Sequence, residues 1–121
     1  MYITIESLTN FFSDGMTFNL PSEIVRYLEF EDVVVFLLNE NGKRNKIIGV
    51  KFSQEGEINH HYIAWEFQII DGLGKIYPIH YFVKKTHKEQ ELICCWGGGF
   101  DIDFYINPIS GEIIDKVFTK C

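Results

Sequence analysis

The chain contains no long apolar run. Its longest clearly apolar stretch, Val33 to Leu38, falls far short of the ~18 residues that suggest a membrane-spanning helix. Met1 to Glu6 lacks the basic region and the long apolar region of a secretory signal, so a cytoplasmic location is expected. Cysteine is sparse and odd in number, with Cys94, Cys95 and Cys121, which excludes an even disulfide framework and fits a reducing compartment. A cationic excess is also missing. Lys and Arg total 11 against 17 Asp and Glu, for a net charge of −6. Duplex nucleic acid is a poor partner for that balance, because backbone binding rests on clustered cations. A basic protein partner matches it better, although net charge of this size also serves solubility alone.

What is present fits one domain of 121 residues, with 46% hydrophobic and 23% charged residues, an ordinary globular composition. Aromatic residues reach 16%, and Phe and Tyr favour pleated, half-buried surfaces. Period-2 alternation is the strongest local signal. In Phe100 to Asn107 the residues Phe100, Ile102, Phe104 and Ile106 share one face, and Asp101, Asp103, Tyr105 and Asn107 share a second, wet one. Ile48, Val50 and Phe52 alternate with Gly49, Lys51 and Ser53, and Ile63, Trp65, Phe67 and Ile69 alternate with Ala64, Glu66 and Gln68. Val33 to Leu38, apolar at every position, reads as a central strand covered on both faces.

Turn signals separate these runs at Asn39 to Gly42, Gln54 to Gly56, Asp71 to Gly74 and Asn107 to Gly111, and Lys84 to Lys88 reads as a polar link. Short links of this kind join antiparallel strands. The expected fold is mainly β (β-rich α+β): an antiparallel meander forming a twisted sheet, sandwich or partial barrel. At most one or two short helices are expected near the N-terminus. The candidate is Leu20 to Leu28, where Ser22 is placed to cap a turn carrying Ile24, Val25 and Leu28 on one face. Ser7 to Gly15 reads equally as a loop or a helical turn.

The residues that carry chemistry do not assemble into a catalytic motif. Asp101 and Asp103 project from one strand face roughly 6.6 Å apart. Glycosidase carboxylates instead flank the sugar from opposite sides of a cleft. As a calcium loop the same stretch fails at Tyr105 and Ile106, where an oxygen ligand and a glycine belong. The four histidines, His60, His61, His80 and His87, include no i, i+4 pair, and no close-spaced ligand pair supports a zinc site. Gly97-Gly-Gly99 follows a strand and leads into a strand, so it reads as a hairpin turn or bulge rather than a phosphate cradle. Cys94 and Cys95 lie in an apolar run that holds a thiol neutral, with side chains on opposite faces. Trp65 and Trp96 both read as strand residues packed in a core. No cofactor and no metal are expected, and a binding protein is favoured over an enzyme.

The order Leu20-Pro21, Glu29 to Leu38, Asn45-Lys-Ile-Ile-Gly-Val50, Trp65-Glu66 and Tyr105-Ile-Asn-Pro-Ile-Ser-Gly-Glu-Ile113 resembles that of small β-rich bacterial immunity proteins of polymorphic and contact-dependent growth inhibition toxin systems. The resemblance spans about residues 20 to 115. It implies a compact domain that binds and neutralises a cognate toxin, a basic nuclease domain in many such systems, by occluding its active site. Carboxylates and aromatics laid over a cationic cleft would do this, with charge speeding encounter and desolvated anchors slowing release. The expected contact residues are Asp101, Asp103, Tyr105, Trp96 and Glu66. The competing expectation is a small-molecule-binding or structural β module of a bacterial assembly.

Overall fold

The computed structural model describes residues 3–13, 16–55, 58–97 and 102–118. Among these, all regular structure is strand. β1 (Thr4–Ile5), β2 (Asn10–Ser13) and β3 (Met16–Asn19) form a three-stranded sheet. β4 (Glu23–Glu29), β5 (Val33–Glu40), β6 (Lys43–Glu55) and β7 (Ile58–Phe67) form a four-stranded one. A hairpin of β8 (Ile69–Ile70) and β9 (Ile76–Tyr77) leads to a second four-stranded sheet of β10 (Ile79–His87), β11 (Gln90–Gly97), β12 (Ile102–Ile106) and β13 (Ile113–Phe118). Among the described residues strands pair antiparallel and in sequence order in every sheet, which is the expected meander, and no sheet closes into a barrel.

β5 organises the layers. Its six residues Val33 to Leu38 are each 0–3% exposed, and alternate side chains serve two cores. Val33, Val35 and Leu37 join Ile47, Trp65, Phe82, Ile93, Cys95, Phe104 and Ile106 between the two four-stranded sheets. Val34, Phe36 and Leu38 join Phe11, Leu20, Ile48 and Val50 under the N-terminal sheet. Burying each such side chain contributes about 1.5–3 kcal/mol, which is why an apolar run without alternation becomes the middle strand of three layers.

Leu20 to Leu28 corrects the expected helix: Glu23 to Glu29 is an edge strand paired with β5, with a bulge between Ile24 and Arg26. Ser22 does not cap a helix but donates its hydroxyl to Glu40 Oε2 at 3.4 Å. Ile24, Val25 and Tyr27 are β-formers, and the apolar β5 offers them a cross-strand surface that an isolated turn of helix lacks. Ser7 to Ser13 resolves as a hydroxyl-stabilised turn, in which Ser7 Oγ accepts from the Thr9 and Asn10 amides, followed by β2. Phe11 enters the core beside Phe36 and His61, with ring centroids 4.9 and 5.3 Å away.

Three of the predicted turns hold. Asn41 and Gly42 adopt positive φ and close a two-residue hairpin between β5 and β6. Asp71 ties its hairpin by accepting from the Leu73 and Lys75 amides and the Tyr77 hydroxyl at 2.8–2.9 Å. Asn107 Oδ1 accepts from the Ile109 and Ser110 amides, and Gly111 turns the chain at φ +75°. The Gln54 to Gly56 turn reaches beyond the described residues at Gly56. Lys84 to His87, expected as a link, are strand residues, and the reversal falls on Lys88 and Glu89, both at positive φ.

Candidate functional site

The outer face of the β10–β13 sheet is covered by no further layer among the described residues, and here the chain's polar and aromatic groups converge. Cross-strand register brings them together. Tyr81, Val83 and Lys85 of β10 lie opposite Trp96, Cys94 and Leu92 of β11, and Cys94 lies opposite Tyr105 of β12. Beyond the last pair, Cys95 with Phe104, the neighbouring Trp96 and Asp103 line one recess. A bulge between Ile79 and Tyr81 sets both His80 and Tyr81 beside the indole, with the His80 and Trp96 rings 5.7 Å apart. His80, Tyr81, Lys85, Trp96 and Asp103 line a shallow recess of about 390 Å³.

Below the recess lies a small buried cluster of Leu92, Cys94 and Tyr105, with Val83 and Val117 against it. Tyr105 is 4% exposed, so the strand face expected to be wet is partly closed, because neighbouring side chains on the same sheet roof it over. Lys85, the Tyr105 hydroxyl and the Cys94 thiol lie close enough to influence one another electrostatically. Burial pushes the Tyr105 hydroxyl above its ordinary pKa, and burial together with the Asp103 charge does the same for the Cys94 thiol. Cys95 faces the opposite core and is pushed up further by burial. Both thiols are free, buried and neutral near pH 7, which leaves no thiolate nucleophile there.

At the hairpin end of the same face, His87 stacks on Tyr105 with centroids 3.8 Å apart and 14° between planes. Its Nε2 lies 2.8 Å from Asp115 Oδ2, and Lys88 Nζ lies 3.1 Å from the same oxygen. The hydrogen bonds from His87 and Lys88 hold the Asp115 carboxyl down at about 2. A folded-state pKa below the unfolded one contributes stability that is present above about 3.8 and is lost as pH falls toward about 2. We expect a carboxyl-carbon titration by NMR to place Asp115 near 2 in the wild type, and His87→Ala to raise that midpoint toward the ordinary aspartate range. An unmoved midpoint would show that the imidazole does not hold the carboxylate.

Of the five expected contact residues, Asp103, Trp96 and Tyr105 come together on this face. Asp101 lies outside the described residues. Glu66 stands apart: it pairs with Ile48, whose side chain enters the core beneath the N-terminal sheet, so Glu66 belongs to the opposite side of the middle sheet. Trp65 packs as expected, 9% exposed between the four-stranded sheets, whereas Trp96 is half-buried and lines the recess. Among the described residues the face carries Lys85 and Lys88 beside Asp103 and Asp115. Sequence reasoning missed His80, Tyr81 and Lys85. The parity of Tyr81, Val83 and Lys85 was visible, but the register that sets Tyr81 against Trp96 was not.

Among the described residues no group of three or more His, Cys, Asp or Glu is arranged to hold a metal ion, and no helix is long and apolar enough to cross a membrane. The fold thus defines the chain as a layered, antiparallel all-β protein with one polar and aromatic recess on its open sheet. No protein-family model matches the chain, and neither a curated protein nor a solved structure matches it.

Proposed function

We propose that the chain is an immunity protein, which binds a cognate bacterial toxin through the outer face of the β10–β13 sheet and neutralises it by covering the active site. The toxin in this reading is a basic nuclease domain. The observation that carries the proposal is Asp103: a half-buried carboxylate set beside Trp96 and Tyr81, with no hydrogen-bond or ion-pair partner among the described residues. An unpaired carboxylate flanked by aromatic rings suits a cationic partner surface, since aromatic anchors and desolvated charges dominate protein interfaces. The net charge of −6 adds long-range attraction for such a partner.

The test is affinity capture of the tagged chain from its native cells, with an affinity measurement on any protein recovered in equal amount. A tight complex with one basic protein, weakened by salt, is expected. Asp103→Lys should weaken it by about 2 kcal/mol, or roughly 30-fold, partly through slower association. Recovery of no equimolar partner, or an Asp103→Lys affinity equal to wild type, would contradict the reading. A small-molecule-binding module is the second reading, favoured by a recess volume within the range of ligand pockets. A thermal shift with metabolites and none with a candidate toxin would select it.

A further inference from the structure

We infer that the recess between Trp96, Tyr81 and Asp103 is an arginine-accepting pocket, which takes the guanidinium of one exposed arginine from the protein partner. This rests on the proposed role of this face as a partner surface and deepens it by naming the group recognised.

The lining of the recess includes one amine, Lys85, and one carboxylate, Asp103. Lys85 has the Tyr105 hydroxyl as an electrostatic neighbour, whereas Asp103 has no ion-pair or hydrogen-bond partner among the described residues, and is half-buried. An incoming group that pairs the carboxylate therefore gains most. The walls then narrow the choice of cation. Trp96 is half-buried and Tyr81 is 44% exposed, and the bulge holds His80 beside the indole, so aromatic rings line the recess that holds the carboxylate. A planar, weakly hydrated guanidinium stacks on such faces and presents a fork of N–H donors that a carboxylate accepts in pairs. An ammonium, compact and strongly hydrated, makes one bond and leaves its water less readily.

Lys85 attracts an anionic guest and repels a cationic one, so its removal separates the two possibilities. Asp115 is occupied by His87 and Lys88 and does not compete for the guest.

The experiment uses the full chain, with Nα-acetyl-arginine N-methylamide as the probe and the Trp96 indole N–H as the NMR reporter, assigned by its loss in Trp96→Phe. Saturable movement of that signal is expected, at least about tenfold weaker in Asp103→Asn, a variant that preserves shape. The lysine analogue should bind more weakly, the uncharged citrulline analogue should leave the signal in place, and Lys85→Ala should tighten arginine binding. An unmoved Trp96 signal, an equal response to citrulline, or a stronger response to acetate or inorganic phosphate that Lys85→Ala abolishes would overturn the pocket. The probe needs no toxin. Arginine binding with no toxin recovered would leave the pocket standing and remove the immunity reading, and a recovered toxin with no arginine response would do the reverse.

Discussion

Replacing Trp65 with alanine is expected to lower unfolding stability by about 3–5 kcal/mol, a large fraction of the total for a domain of this size. Three contacts converge on this side chain. It lies between the four-stranded sheets, its Nε1 donates to the Pro108 carbonyl at 2.8 Å, and its ring occupies the space that side chains at Gly49 and Gly111 would fill. A Cβ at Gly49 would lie 2.2 Å from the indole nitrogen, and one at Gly111 would lie 2.5 Å from the ring. The tryptophan thus covers a bare stretch of its cross-strand neighbour and pins the Asn107 to Gly111 turn to the sandwich. Urea unfolding measures the loss. Gly49→Ala should destabilise the wild type yet cost little in a Trp65→Ala background, giving a coupling energy of about 1 kcal/mol or more. Additive effects would show that the close approach of Gly49 and Trp65 is not what constrains the site.

Gly97→Ala should be the most disruptive single methyl addition in the outer sheet, at about 3 kcal/mol, the upper end for overpacked positions. A Cβ there would stand 2.0 Å from the Pro78 carbonyl oxygen and 2.8 Å from the Ile79 Cα. Both are backbone atoms, so no side chain can swing aside. The chain entering β10 presses directly on β11 at this point, and the adjacent bulge aims His80 and Tyr81 at Trp96. Two readouts follow: a lower denaturation midpoint, and displaced indole and Tyr81 signals that report a disturbed recess. Gly72→Ala, where a Cβ meets nothing within 4 Å, is the control and should stay within about 0.5 kcal/mol of wild type. Equal behaviour of the two variants would contradict the close approach.

Much of the fold was legible because hydrophobic periodicity reports burial directly. Val33 to Leu38 announced a strand with two covered faces, and Asn41-Gly42 announced its hairpin, since that pair tolerates the positive φ a two-residue turn requires. The same logic failed at Lys88 and Glu89, which take positive φ without the glycine or asparagine that would signal it. With that turn misplaced among Lys84 to Lys88, the register pairing Tyr81 with Trp96 could not be read, and half of the recess stayed hidden. Leu20 to Leu28 misled for another reason: Ile24, Val25 and Leu28, placed for one helical face, are equally at home on an edge strand, and β5 decided between them. Tyr105 was assigned to a wet face because alternation speaks only of direction, whereas Leu92, Cys94 and Val83 roof that face from neighbouring strands.

The candidate site was legible in part for the same reason. Asp103, Tyr105 and Trp96 share a face by parity and neighbouring strands, while Glu66, expected nearby in sheet order, lies on a strand of the other four-stranded sheet.

Hydroxyl-radical footprinting of the captured complex against the free chain tests most directly whether the proposed protein partner sits on the outer face of the β10–β13 sheet. Reduced oxidation of Trp96 and Tyr81 is expected in the complex, with Leu73 and Phe118, which are 95% and 77% exposed and lie outside the recess, unchanged. Protection of Leu73 or Phe118 with Trp96 and Tyr81 oxidised as in the free chain would contradict that placement.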